Sequence, residues 1–103
     1  MENRKVFIIN KSTHDYTKAQ EFGDLITVTE NAMNRFSTSK MHRTFKPFIE
    51  SSKIDDCILV SGLTIMNIVF CIMFARLHGR VNLLIYKPDR RDPGRYVLRE
   101  IVL

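Results

Sequence analysis

The sequence has 103 residues, 45% of them hydrophobic, with a formal net charge of +5. That is a single-domain length that can build a true core, and with only 4 Gly and 3 Pro its composition excludes a low-complexity or disordered chain. The two cysteines, Cys57 and Cys71, sit inside apolar runs without metal-ligand spacing, which excludes a disulfide framework and makes a reducing, cytoplasmic setting the expected one.

Lys5–Ile9 reads as a first strand, apolar on both faces as buried parallel strands are. Asn10–Asp15 is a polar loop. Tyr16–Phe22 places Tyr16, Ala19 and Phe22 on one side of one or two helical turns, which Gly23 ends. Asp24–Thr29 follows as a second short strand, and 31–39 as a loop. Lys40–Ser52 is an amphipathic helix: Met41, Phe45, Phe48 and Ile49 fall on a single stripe, and Ser37 or Ser39 supplies the N-cap. Pro47 either kinks this helix or starts a second one. Asp55–Val60 is the third and most apolar strand. Thr64–His78 is the helix behind it, closed by Gly79, with Arg76 and His78 near its negative end. It is hydrophobic nearly all round, so it must be covered on more than one side. Val81–Tyr86 is a fourth strand, Asp92-Pro93-Gly94 a turn, and Tyr96–Val102 a fifth strand running antiparallel to the fourth.

Cys57 to Ala75 is a run of nineteen residues without a charge, near the length of a membrane-spanning helix. Ser61-Gly62 interrupts it where a strand turns into a helix, Asn67 adds a polar group, and another apolar strand follows at once. A soluble fold is therefore expected, without a membrane span. The element order predicts a small Rossmann-like or flavodoxin-like three-layer α/β sandwich over residues 1–103. Its sheet has about five strands, mostly parallel, with an antiparallel C-terminal hairpin at the edge and helices over both faces.

In such sheets ligands bind outside the carboxyl ends of the strands. The first strand would bring Asn10, Lys11, Ser12, Thr13, His14 and Asp15 there. The second would bring Thr29, Glu30, Asn31, Asn34 and Arg35, the third Ser61, Gly62, Thr64 and Asn67, and the fourth Lys87 and Asp89. Small hydroxyls, a glycine and cations suit an anionic, nucleotide-like ligand, and a glycine at a strand-to-helix turn lets backbone N–H groups approach a phosphate. Ser61-Gly62 reads equally as a plain tight turn. His14, with Ser12, Thr13 and Asp15 nearby, is a candidate for acid–base work, and equally reads as an exposed loop residue beside an Asp15 that caps the next turn. His42 and His78 fall on helices and read as solvated. No dinucleotide, P-loop or nucleophile-elbow motif is present, so no cofactor is specified and no nucleophile–base pair can be named.

Charge is unevenly spread. Residues 31–53 carry five Lys/Arg against one Glu, and residues 76–99 seven against two Asp. Arg35, Lys40, Arg43 and Lys46 belong to the first group, and Arg90, Arg91 and Arg95 surround the hairpin turn in the second. Such a surface suits nucleic acid or an acidic protein partner, although no aromatics interleave these arginines in sequence.

The stretch Asp56-Cys-Ile-Leu-Val-Ser-Gly-Leu-Thr-Ile-Met-Asn67 resembles the strand–turn–helix of CARF-type ligand sensors. Those carry a Thr/Ser-Gly-Gly-Thr turn ahead of an apolar helix, and the resemblance implies cyclic-oligonucleotide binding there. Leu63 stands where the second glycine would be. His14-Asp-Tyr-Thr-Lys-Ala-Gln-Glu-Phe-Gly23 resembles short uncharacterised proteins of bacteriophage and bacterial genomes, which implies a phage or prokaryotic origin.

The expected function is a non-catalytic binding module for an anionic, nucleotide-like or phosphate-bearing ligand. The alternatives are an interaction protein, homo-oligomeric and acting through its basic hairpin and apolar helix surface, and a nucleic-acid binder using the basic face.

Overall fold

Apolar side chains on consecutive residues make strands that must be covered on both faces, and that requirement builds this sheet. In the computed structural model, which describes residues 3–30, 33–91 and 94–103, the strands are β1 (Lys5–Ile8), β2 (Asp24–Thr27), β3 (Cys57–Leu59), β4 (Arg80–Lys87) and β5 (Arg95–Val102). They form one sheet in the order β2-β1-β3-β4-β5. All pairings are parallel except β4–β5, whose register matches Lys87 to Arg95 and Arg80 to Val102. This is a mixed α/β fold with an antiparallel edge, as the sequence predicts. The chain winds one way from β1 to β2 and the other way from β3 onward, the order of a doubly wound sheet.

Alternation sorts the core into two layers. Phe7, Ile9 and Ile58 point to one face and pack under both long helices, α1 (Thr38–Glu50) and α2 (Thr64–His78). Phe70 of α2 is central there, with ring centroids 5.3 Å from Phe7 and 5.4 Å from Phe45 of α1. Val6, Ile8, Cys57, Leu59 and Leu84 point to the other face. The expected helix on that face is a 3-10 helix, Thr17–Phe22, that contributes Ala19. Both α-helices therefore share one face, and six residues of tighter helix cover part of the other.

Boundaries follow local chemistry. α2 runs over the expected residues, since Gly79 takes the left-handed conformation (φ 71°) and sends its amide to the Ala75 carbonyl. α1 begins two residues before the expected Lys40, and Ser37 at its N-cap makes no side-chain cap. Pro47 neither divides it nor starts a new helix; it lies inside one continuous element. β3 is shorter than expected because only Ile58 and Leu59 pair with β4. The uncharged run from Cys57 to Ala75 is broken into strand, turn and helix, and no helix among the described residues is long and apolar enough to cross a membrane. Of the expected hairpin turn, Asp92 and Pro93 lie outside the described residues, as does Asn31 of the loop after β2.

Candidate functional site

A doubly wound sheet opens a crevice between β1 and β3, where the winding reverses. Here Asn10 fills it. Its side-chain amide donates to Thr29 Oγ1 at 3.1 Å, and its Oδ1 accepts the Leu63 amide at 3.4 Å. Thr29 in turn donates to the Ile9 carbonyl at 2.8 Å. One side chain thus ties together the loops after β1, β2 and β3. Gly62 sits against it with φ +70°, and a Cβ at that position would collide with the Asn10 side chain and carbonyl.

The open space lies one strand further along. β4 continues past the end of β3: after Leu84 its residues Ile85–Lys87 pair with β5 alone. The Val60 amide reaches the Leu84 carbonyl at 3.3 Å, the last β3-side hydrogen bond to that strand among the described residues. Beside this overhang is a cleft of about 950 Å³, lined by Val60–Gly62, Thr64 and Asn67, by Ile68, Cys71 and Ile72 of α2, by His14–Tyr16 and Lys18, and by Tyr86 and Tyr96. That is ample for a nucleotide-sized molecule.

The structure divides the residues singled out in the sequence. His14, Asp15, Ser61, Gly62, Thr64 and Asn67 all line this cleft; Ser12 and Thr13 do not. Ser12 Oγ instead lies 2.8 Å from the Tyr16 hydroxyl and fixes that ring. Asp15 is held by Thr17, whose amide donates to it at 2.9 Å and whose hydroxyl donates to the same oxygen. These bonds, with Lys18 nearby, keep its carboxyl below the usual carboxylate range although it is fully exposed. Asn67 is buried and committed to the turn. Its Nδ2 donates to the carbonyls of Ser61 (2.6 Å) and Leu63 (3.0 Å), and its Oδ1 accepts the Ser61 amide at 3.1 Å. It positions the loop. Leu63 at the α2 N-cap has no capping side chain, and the amides of Met66 and Asn67 turn back to its carbonyl.

The basic residues do not converge on the cleft. Arg35, Lys40, Arg43 and Lys46 are exposed on α1 and the loop before it, with Lys46 only 3.9 Å from Glu50. Arg90, Arg91 and Arg95 are exposed at the far end of the β4–β5 hairpin.

Sequence reasoning missed the tyrosines. Tyr16, Tyr86 and Tyr96 are the three tyrosines of the chain, and all line the cleft. Tyr86 and Tyr96 are cross-strand partners with centroids 5.6 Å apart and rings inclined at 64°. Burial, and then the adjacent Tyr16 and Tyr86, raise the Tyr96 phenol above its ordinary pKa. The signal was available in the antiparallel register, which pairs 86 with 96 once the turn is placed. Burial also pushes the Cys71 thiol up to about 11. Among the described residues no group of His, Cys, Asp and Glu is placed to hold a metal ion.

The model of a family described as phage Pam3 gp32-like protein matches residues 4–101. No curated protein and no solved structure matches the chain.

Proposed function

This chain belongs to the phage Pam3 gp32-like family, and we propose that it is a non-catalytic binding module for an anionic, nucleotide-like ligand held at the carboxyl ends of β3 and β4. The observation that carries this reading is the cleft itself. It brings loops after β1 and β3 together with the start of α2, and sets polar groups of His14, Ser61 and Thr64 against an apolar wall. The uncapped first turn of α2 adds positive potential at the same mouth. Asn10 occupies the space between β1 and β3, which favours the neighbouring cleft.

The test is thermal shift and calorimetry of the intact protein against nucleoside mono- and diphosphates. A ligand present at a hundred times its Kd stabilises by about 2.7 kcal/mol. A concentration-dependent rise in Tm supports the module; no rise with any nucleotide at low salt removes it.

A second reading rests on a separate observation. On the helical face of the hairpin, Ile85 (44% exposed) alternates with Lys87, opposite Val97 between Arg95 and Arg99. Ile68 (48%) and Ile72 (62%) of α2 stand exposed as well. Apolar side chains beside Lys87, Arg95 and Arg99 suit an acidic amphipathic segment of a partner protein rather than a second copy, which would set like charges against each other. Fluorescence anisotropy with an acidic amphipathic peptide and its lysine-substituted counterpart tests it. Preference for the acidic peptide supports the reading, whereas concentration-dependent dimers in sedimentation would place a second copy there.

A further inference from the structure

The cleft has two walls of different chemistry. Ile68, Cys71 and Ile72 make one aliphatic wall, and Tyr86 with Tyr96 makes an aromatic one. Tyr16 and Tyr96 are buried to 6% and 8% exposure, whereas Tyr86 is 51% exposed. The open ring is nonetheless firmly seated. It stands edge-to-face on Tyr96, and its hydroxyl end rests against Gly94 so closely that a Cβ there would collide with it. Gly94 is itself tied down, because Lys18 Nζ donates to its carbonyl at 2.7 Å. A fixed, half-exposed tyrosine therefore meets solvent at low conformational cost to anything that covers it.

Beside that ring runs the β4 overhang. Ile85–Lys87 have β5 on one side and, among the described residues, no strand on the other, so main-chain polar groups border the exposed tyrosine. A half-exposed aromatic ring next to main-chain donors and acceptors is the chemistry that takes a planar heterocycle with a hydrogen-bonding edge. We propose that this end of the cleft is a nucleobase subsite, in which a base stacks on Tyr86 with its polar edge toward the overhang of β4. The inference rests on the reading of the cleft as a nucleotide site and adds to it the ligand class and its orientation.

Calorimetry compares adenosine, guanosine and uridine monophosphates with ribose 5-phosphate on the intact protein and on Tyr86→Leu. The subsite predicts that at least one base-bearing ligand binds roughly tenfold or more tightly than ribose 5-phosphate, and that Tyr86→Leu removes most of that advantage while sparing ribose 5-phosphate. Tyr86→Phe should retain it. Should Tyr86→Leu fail to fold, carbon-labelled tyrosine NMR of the native protein gives the answer, with Tyr86 ring resonances moving for the nucleotide and not for ribose 5-phosphate. Equal binding of nucleotide and ribose 5-phosphate overturns the subsite and leaves the anion site standing. Binding of neither overturns both.

Discussion

Asp56 is 1% exposed, yet it is a carboxylate, and its surroundings explain why it is tolerated. It accepts the amides of Lys5 (2.9 Å) and Lys53 (2.8 Å), and Lys5 Nζ stands 3.7 Å away. Its carbonyl takes the Asn82 side-chain amide at 2.9 Å. These bonds tie together the starts of β1, β3 and β4. Asp56→Ala removes the acceptor of two main-chain amides and should cost about 3 kcal/mol in urea denaturation. His78, whose Nε2 lies 2.8 Å from Ser52 Oγ, has its pKa held below the ordinary 6.5 by burial, against the opposing pull of Asp56. The unfolded chain therefore takes up this proton first. The stability due to His78 is present above about 6.5 and is lost as pH falls through that value toward the lower folded pKa. His78→Gln should flatten that part of a plot of denaturation midpoint against pH. Cys71 makes a third prediction. A thiol at about 11 is protonated at neutral pH, so alkylation there should be slow, accelerate as pH rises, and slow again when a nucleotide fills the cleft. Mass spectrometry of the modified peptide reads each of these. These residue environments were the least legible part of the sequence. Asn10 could be assigned to the rim, but that it fills the crevice depends on a partner fifty-three positions away.

At the scale of elements the sequence was far more informative, because periodicity and glycine punctuation act locally. α2 could be bounded from an apolar run between Gly62 and Gly79, both of positive φ. Both long helices share one face of the sheet, whereas the sequence predicts helices over both. The segment Thr17–Phe22 is the helix of the other face, and it covers that face with 3-10 turns. Pro47 is the other element-level surprise. It lies in the last turns of α1, where it removes one helical hydrogen bond, and α1 persists because Met41, Phe45 and Ile49 are buried against the sheet and α2. Pro47→Ala should therefore raise stability, by about 1 kcal/mol once the freer unfolded chain is counted, in thermal denaturation. A fall would mean that the proline conformation is itself required. The cleft was only half legible for a related reason. The loops at strand ends follow from topology, but the overhang of β4 past β3 depends on how many residues of two strands actually pair.

Across the whole molecule, protection should follow strand order. β1 is flanked by β2 and β3 and covered on both faces, so its amides should exchange with deuterium most slowly. β2 and the free edge of β5 should exchange faster, and a slow β5 with a fast β1 would contradict this sheet. The same order has a consequence for synthesis. Val6 finds one neighbour in Leu25 but the other only in Cys57. A ribosome adding about 5–20 residues per second leaves one edge of β1 uncovered for roughly 2–6 seconds after β2 has emerged. For that interval the nascent chain offers a short strand edge, apolar in three of its four residues, to its neighbours on the polysome. Aggregation during rapid expression should therefore be governed by the translation speed of residues 28–56 more than by the stability of the finished fold.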